Sequence, residues 1–283
     1  MTLISPFAGL RPVDARAADV VAPPYDVLSS AEARVRAAGR PWSFLHISRP
    51  EIDLPEGTDP YAPEVYARAA SNLRQMLDAG VLARDAEPCY YVYRLVMGDH
   101  TQTGLVAVAS VAAYDSNRIR KHEFTRPAKE DDRVRQIEAL HAQTGPVLLA
   151  CKSDPAVDAM LDAVAAAKPD VELTADDGIG HSLWVVRDVD MIERITAAFD
   201  AMEALYIADG HHRSAAASRV AASHAGNAAA AGFLAVIFPH RQMQILDYNR
   251  VVRDLAGMST ETFLARVVEN FQVAPAAAAV HPD

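Results

Sequence analysis

The chain has 283 residues, 51% of them hydrophobic, so it can bury a sizeable core as one large domain or two moderate ones, and disorder is not the default. Its 27 Lys and Arg residues against 37 Asp and Glu give a formal charge of −10. Such a charge would repel a phosphate backbone, which disfavours nucleic-acid binding.

The opening stretch MTLISPFAGLRPVDAR has no basic region followed by an apolar one, so no signal peptide is expected. The longest apolar run, residues 228–239, falls short of the roughly 20 residues that cross a bilayer. We therefore expect a soluble cytoplasmic protein without a membrane partner. Cys89 and Cys151 each lie in an apolar run typical of a strand, which favours two buried thiols over a disulfide.

Prolines punctuate the first third of the chain and predict loops and short strands around one helix near residues 31–39. A long helix is predicted next, with Asp59 and Pro60 as start signals and Gly80 as its stop. Its apolar residues have helical spacing: Val65, Ala69, Leu73, Met76 and Leu77.

Two aromatic and β-branched runs then flank Gly98-Asp99-His100 and predict a β-hairpin. A polar segment follows and becomes helical near Lys129. After it, short apolar strands alternate with helices: PVLLACK, VELTA, HSLWVVRD, ALYIAD and GFLAVIF are predicted strands, and DPAVDAMLDAVAAAK, VDMIERITAAFDAM and RSAAASRVAASHA are predicted helices. This alternation predicts an α/β (mixed α+β) fold of mixed sheets flanked by helices.

No internal repeat or low-complexity linker divides the chain. We therefore expect one unit over residues 1–283, with an N-terminal part at 1–145 and an α/β part at 146–283. The final stretch, VENFQVAPAAAAVHPD, offers no closing element, so the natural chain is expected to continue past Asp283.

The densest polar cluster is Asp209-Gly210-His211-His212-Arg213, which follows the predicted strand ALYIA and precedes an alanine-rich helix. Free backbone N–H groups and the positive end of the helix dipole make such a turn an anion site. Gly210 permits a positive φ or a close approach, and Arg213 can bind phosphate oxygens through paired hydrogen bonds. The alternative is a helix cap at Asp209 with two surface histidines. A zinc site is less favoured, because adjacent helical residues point about 100° apart.

A second cluster lies in RKHEFTRPAKEDDR, residues 120–133. His122 and Glu123 would begin a zinc-protease motif, but that motif needs a second histidine where Arg126 stands. The segment still offers a base, metal ligands and phosphate contacts. Its candidate side chains are His122, Glu123, Thr125, Lys129, Asp132 and Arg133. The alternative is a solvated charged loop leading into a helix.

A third candidate is VVAPPYDVLS, in which two prolines hold Tyr25 and Asp26 in a stiff turn that fits either a site wall or a structural turn. His46 in FLHISRP alternates with apolar residues and is interpreted as a core histidine with satisfied hydrogen bonds. The sequence contains no Walker loop, GxGxxG, GxSxG or CxxC motif.

Six motifs in order, SPFAGLRP, APPYDVLS, FLHISRPE, KHEFT, LYIADGHHR and LDYNRVV, resemble the domain-of-unknown-function 1015 (DUF1015) family of bacteria and archaea. The resemblance covers almost the whole chain. Family members usually extend beyond the point where this sequence stops, and their function is poorly defined.

The DGHHR motif also looks like the phosphate-binding motif of the ParB/sulfiredoxin superfamily, which implies a nucleotide-binding core of that kind. By this resemblance Gly210, His211, His212 and Arg213 would hold the phosphates of ATP or another nucleotide together with Mg²⁺. Sulfiredoxins carry a reactive cysteine where His211 stands, so thiol chemistry is not implied. The helix-turn-helix and basic surface of ParB proteins are not found.

Free-serine kinases share the full Asp-Gly-His-His-Arg string, so the resemblance favours phosphorylation of a small hydroxylated metabolite. Glu123 is the first candidate for the base, with Asp209 and His122 as further catalytic candidates. Tyr25, Asp26, Thr125 and Arg126 are candidates for binding the substrate. The metal ligands are not identified.

Two other functions stay open: a regulator that binds a nucleotide without transferring phosphate, and a metal-assisted hydrolase of a small phosphorylated or carboxylated compound. The sequence identifies neither the donor, the acceptor nor the oligomeric state. A separation of more than about 12 Å between Glu123 and the 209–213 turn would exclude a shared reaction.

Overall fold

The structure is a computed structural model, and it describes residues 2–246, 252 and 254–274. The chain divides into two compact units, Met1–Met243 and Gln244–Asp283. Within the described residues, no helix combines the length and the apolar character that a membrane span requires.

The strands found in the described residues all belong to the first unit. They are β1 (Ile4–Ser5), β2 (Leu10–Pro12), β3 (Leu82–Arg84), β4 (Tyr90–Met97), β5 (His100–Ser110), β6 (Ile119–Arg120), β7 (Val147–Cys151), β8 (Val171–Thr174), β9 (Gly180–Val186), β10 (Leu205–Asp209) and β11 (Gly232–Pro239).

The described helices belong to both units, and those of the first unit connect and cover its strands. They are α1 (Ala17–Val20), α2 (Ser30–Ala37), α3 (Leu45–Ser48), α4 (Pro63–Asp78), α5 (Val111–Asp115), α6 (Pro127–Leu140), α7 (Pro155–Ala165), α8 (Val189–Asp200), α9 (His211–Ser223) and, in the second unit, α10 (Thr260–Val268).

A nine-stranded sheet in the described residues has the order β6-β10-β7-β11-β5-β4-β9-β8, with β1 paired to β5. The pairs β10–β6 and β11–β7 are parallel, whereas β10–β7, β11–β5, β4–β5, β4–β9 and β8–β9 are antiparallel. The sheet is therefore mixed and flanked by helices, which confirms the predicted fold class. Its strands come from both sides of residue 145.

The main hydrophobic core lies between the sheet and residues of α5, α7, α8 and α9. Cys89 and Cys151 are buried free thiols, as the sequence predicted. A second cluster packs α4 against the N-terminal segments and includes Ala69, Leu73 and Met76. Leu77, predicted to share that face, is instead 41% exposed, because the buried stripe of α4 follows positions 65, 69, 73 and 76.

The long helix begins later than the sequence predicted. Pro63 occupies its first position, where the missing N–H of proline costs nothing. Asp59 instead accepts a hydrogen bond from the Tyr61 backbone N–H at 3.0 Å in the preceding turn. The β4–β5 hairpin is confirmed, with Gly98 in the left-handed region at its turn.

The first third holds more helix than predicted. Beside α2, whose capping box joins Ser29 and Glu32, the proline-punctuated loops form α1, α3 and short 3-10 turns. Proline at the first position of a turn supports helical geometry as well as extended chain, as at Pro50. His46 lies on α3, where Nδ1 bonds Asp53 at 2.8 Å and Nε2 bonds the Arg40 carbonyl at 3.1 Å. It is thus a satisfied structural histidine.

The last family-like motif, LDYNRVV, lies almost entirely outside the described residues, because 247–251 are not among them. The same holds for the chain end from residue 275. In the second unit, α10 begins with Ser259 as its cap, whose hydroxyl accepts from the Thr262 N–H at 3.2 Å.

Candidate functional site

The polar cluster lies at the turn from β10 into α9. β10 ends at Asp209, and the next residue, Gly210, has φ +99° and ψ 28° and forms the N-terminal cap of α9. A Cβ at Gly210 would stand 3.2 Å from Cζ of Arg213 and 3.3 Å from Cα of Val147. Glycine is thus needed twice, for the left-handed backbone and for the close approach of the Arg213 side chain.

The helix begins at His211, two residues earlier than the sequence predicted, so both histidines belong to its first turn. The first α-helical bond of this turn joins the Ser214 N–H to the Gly210 carbonyl at 3.0 Å. Glycine has no side chain that could cap the helix, and no side-chain cap is present here among the described residues. The backbone N–H groups of the first turn therefore receive no hydrogen bond from a capping side chain at the positive end of a 13-residue helix.

Arg213 folds back over this turn. Its Nη2 donates to Oδ2 of Asp209, and its Nη1 donates to the carbonyl oxygen of Pro146. The Arg213 side chain is 20% exposed, whereas that of Asp209 is 64% exposed. Asp209 thus orients the guanidinium from the solvent side, and the backbone before β7 orients it from within.

The second cluster, within residues 120–133, contacts the first cluster at residues 209–213. The loop after β6 brings the Glu123 carboxylate, through Oε2, to 3.6 Å from Nδ1 of His211. The rings of His122 and His211 lie edge to face with centroids 4.5 Å apart. The backbone N–H of Arg126 donates to Nε2 of His212 at 3.1 Å. These distances are far below the separation of about 12 Å that would exclude a shared reaction.

His211 is buried, with 4% exposure, so the alternative of two surface histidines fails for this residue. Burial lowers its pKa, with a further lowering from the neighbouring His122. Nε2 accepts from the His122 backbone N–H at 3.4 Å, which assigns the ring hydrogen to Nδ1, facing Glu123. A neutral imidazole therefore sits between the two clusters.

The remaining residues of the loop differ in solvent exposure and in hydrogen bonding. The Glu123 side chain is 58% exposed, and Phe124 beside it is fully exposed. His122 and Arg126 are also exposed. The hydroxyl of Thr125 donates to Glu130 on α6, so this predicted substrate residue is engaged in holding the start of that helix.

Tyr25 shares a cleft with Arg213. The cleft has a volume of about 40 Å³, and its walls are Tyr25, Ser48, Arg133, Gln136, Ile137, Gln143, Thr144, Gly145 and Arg213. The Arg133 guanidinium lies 4.6 Å from the Tyr25 ring centroid and donates to Asp132 at 2.5 Å. Asp26 is exposed and is not part of the cleft wall.

Sequence reasoning missed the segment 143–146 before β7. Gly145 and Pro146 border Arg213, and Thr144 lines the cleft. The available signal was a polar QTGP stretch directly before the buried strand VLLAC. Antiparallel pairing of β7 with β10 places that stretch beside the DGHHR turn, which no local pattern discloses.

No cluster of three or more His, Cys, Asp or Glu side chains suited to a metal occurs in the described part of the chain. A site formed by protein ligands alone, such as a zinc centre with three or four ligands, is therefore not formed by those residues.

The fold and the site define a mixed α/β protein with a glycine-containing strand-to-helix turn at the end of β10, faced by a His-Glu loop. The family model described as "protein of unknown function (DUF1015)" matches residues 4–282, so the chain belongs to that family. No curated protein and no solved structure matches the chain.

Proposed function

We propose that the protein is a nucleotide-dependent kinase that phosphorylates a hydroxyl of a small metabolite such as free serine. The proposal combines the resemblance of DGHHR to the ParB/sulfiredoxin superfamily with one observation of geometry. Glu123 Oε2 lies 3.6 Å from Nδ1 of His211, so a carboxylate and an anion-binding helix start face each other. Phosphoryl transfer needs both, since catalysis rests on holding the phosphates and orienting the attacking hydroxyl.

The nucleotide phosphates would bind at the start of α9. The backbone N–H groups of His211 and His212 supply neutral donors, and Arg213 supplies a guanidinium already oriented by Asp209 and Pro146. A preoriented arginine loses little side-chain freedom on binding, which strengthens paired hydrogen bonds to phosphate.

Mg²⁺ fits this donor set because it binds through one or two carboxylates plus substrate phosphates, and it would neutralise phosphate charge there. Asp209, beside the helix start, would be the carboxylate that holds the ion, which leaves Glu123 free to act as the base. Mg²⁺ bound in this way needs fewer protein ligands than a zinc centre. The absence of clusters of three or more ligands in the described residues therefore does not conflict with it.

Glu123 is the favoured base because its carboxylate is exposed and adjoins the phosphate turn. Asp209 is paired with Arg213, which favours a positioning role for that second carboxylate. His211 would hold its neutral ring against Glu123 and the backbone of the 122–126 loop. Tyr25 and Arg213 line one cleft, and Tyr25 would contact the acceptor there.

Binding is tested by thermal unfolding with ATP, GTP, CTP and UTP, each with and without Mg²⁺. A ligand that binds only the folded state raises the melting temperature, by RT ln(1 + [L]/Kd) in free energy. We expect one nucleotide to raise it in the wild type and to lose most of the effect in Arg213→Ala, since a charged hydrogen bond contributes about 1.5–3 kcal/mol. Arg219→Ala, which removes an exposed arginine of the same helix, is the control. Equal shifts in both variants would exclude the phosphate site.

Turnover is tested with serine as the first acceptor and the nucleotide identified by binding. Glu123→Gln is expected to abolish phosphoserine formation while nucleotide affinity stays within about threefold, because general-base catalysis contributes roughly 10²–10⁴-fold. Glu138→Gln, an exposed glutamate on α6, is the matched control. Full activity of Glu123→Gln would remove Glu123 from the mechanism. Nucleotide binding without turnover on any hydroxylated acceptor would instead favour the non-catalytic regulator.

A further inference from the structure

A second cavity lies at the opposite end of the large sheet from the DGHHR turn. The turn belongs to the β6-β10-β7 end, whereas this cavity lies over β4-β9-β8. Tyr93, His181, Leu183 and Leu173 line it from the sheet. The opposite wall comes from α1 and Phe44.

The cavity has the size and the lining of a small-molecule site. Its volume is about 320 Å³, which equals the space of roughly ten waters at ~30 Å³ each. Ligand pockets typically measure about 300–1,000 Å³ and combine an apolar lining with a few placed polar groups. Aliphatic side chains from both walls dominate this lining.

One polar pair is set into the apolar wall. Tyr93 and His181 lie on adjacent strands β4 and β9, and the Tyr93 hydroxyl is 2.6 Å from Nδ1 of His181. Their rings are stacked, with centroids 6.0 Å apart and an angle of 24°. Burial raises the pKa of Tyr93 to about 12 and lowers the pKa of His181, so both groups are neutral at pH 7.

The pair retains a hydrogen-bond donor in either arrangement of its hydrogens. If Tyr93 donates to Nδ1 of His181, the imidazole carries its hydrogen on Nε2. If Nδ1 donates to Tyr93, the phenolic O–H is the remaining donor. A ligand oxygen within reach of the pair can thus accept a hydrogen bond.

The cavity offers a charged ligand little compensation. Arg11 is the charged side chain of the lining, and its Nε and Nη2 donate to the Asp85 carboxylate at 3.0 and 3.2 Å. Its Nη1 donates to Asp14 at 3.2 Å. Because the guanidinium is already neutralised, a ligand carboxylate or phosphate would compete with two protein carboxylates.

The α1 wall is tied to the sheet edge. Arg40 pairs with Asp176, in the turn between β8 and β9, at 2.6 Å, and its Nη2 donates to the Ala18 carbonyl at 3.1 Å. This exposed link joins residues 136 apart in sequence and connects α1 with the β8–β9 turn through Arg40.

We propose that this cavity binds a neutral small molecule with an apolar body and one hydroxyl or carbonyl group, which accepts a hydrogen bond from the Tyr93–His181 pair. The site is independent of the proposed kinase reaction, and no residue of the DGHHR turn lines it.

The test uses 2-naphthol and naphthalene as probes, titrated into the full chain without nucleotide and followed by ligand-observed NMR. We expect 2-naphthol to bind about threefold to tenfold more tightly, the effect of one neutral hydrogen bond. The double variant Tyr93→Phe/His181→Phe, which removes both donors, should reduce that preference towards equality while naphthalene affinity stays unchanged. Equal affinities in the wild type would overturn the role of the pair.

A filling substitution locates the binding. Leu183→Trp should abolish binding of both probes by occupying the cavity, whereas Leu77→Trp, on the exposed side of α4, should leave it intact. Thermal melting establishes that each variant is folded. Retained binding in a folded Leu183→Trp protein, or no binding by the wild type, would overturn the proposal, and neither result bears on phosphoryl transfer.

Discussion

Gly210 shows how one residue sets the geometry of the site. Its positive φ turns the chain from β10 into α9, and its missing Cβ lets the Arg213 guanidinium pack against the turn. A side chain here would strain the backbone, because φ is positive. It would also contact the Val147 backbone, which cannot move as easily as a side chain.

Gly210→Ala is therefore expected to lower the free energy of unfolding by about 1–3 kcal/mol. Gly226→Ala is the matched control, because Gly226 has a similar φ of +90° but no atom within 4 Å of the added Cβ. The difference between the two variants, measured by urea unfolding, isolates the cost of the close approach. Equal losses would mean that backbone conformation alone requires glycine at 210.

His211 gives the site a dependence on pH. Its pKa in the folded state lies below the ordinary value of 6.5, chiefly because burial disfavours the charged ring. As pH falls below about 6.5, the unfolded state binds more protons than the folded state, so stability falls. Asp53 raises the pKa of His46, which has the opposite effect on stability. In the whole protein, His46 therefore partly offsets the loss of stability caused by His211.

The free energy of unfolding of the wild type is therefore compared with that of His211→Gln, in which His46 and His181 are unchanged. Between pH 7.5 and 5.5 the wild type should lose free energy of unfolding relative to that variant, as measured by urea denaturation at each pH. Parallel curves would show that His211 titrates alike in the folded and unfolded chain.

At the scale of elements, the start of β11 depends on a side chain. β11 pairs with β7 only from Ala235 onward, so the residues before it lack a strand neighbour on that side. Gln143 supplies the substitute: its Oε1 accepts from the Leu234 N–H at 2.9 Å, and its Nε2 donates to the Gly232 carbonyl at 3.0 Å.

Gln143→Ala should lower the free energy of unfolding by about 1–3 kcal/mol, because it leaves backbone groups unsatisfied at a partly buried position. Gln75→Ala, an exposed substitution on α4, should change it by less than about 0.5 kcal/mol. Chemical denaturation measures both. A Gln143→Ala protein as stable as the control would mean that water replaces the amide fully.

At the scale of the whole molecule, strands from the two halves of the sequence pair with one another in the large sheet. β10 pairs with β6, β11 with β5, and β9 with β4, so each of these pairs joins a strand before residue 145 to one after it. Whether 1–145 and 146–283 behave as sub-regions stays a prediction, and these pairings make it testable.

A fragment ending at Gly145 should not unfold cooperatively by itself, because β4 and β5 would each lose a neighbour and expose their buried faces. Circular dichroism during heating measures this. Mixing the fragment with residues 146–283 should restore a cooperative transition. A sharp transition in the isolated fragment would establish it as a separate domain.

The sequence by itself determined the strongly periodic elements and the chemical character of the site. The apolar runs of β7, β10 and β11, the hairpin around Gly98 and the strand-to-helix turn at Gly210 followed from local composition, because burial and turn geometry select residues locally. The prolines of the first third predicted loops where the structure has short helices, because proline fits the start of a helix as well as a loop.

Only the tertiary structure decided which distant residues meet. It brought Glu123 to His211 and the Pro146 carbonyl to Arg213, and it opened a cavity between α1 and the far end of the sheet. These contacts depend on the order β6-β10-β7-β11-β5-β4-β9-β8. Strand order is set by packing between segments far apart in the chain, and no local pattern encodes it.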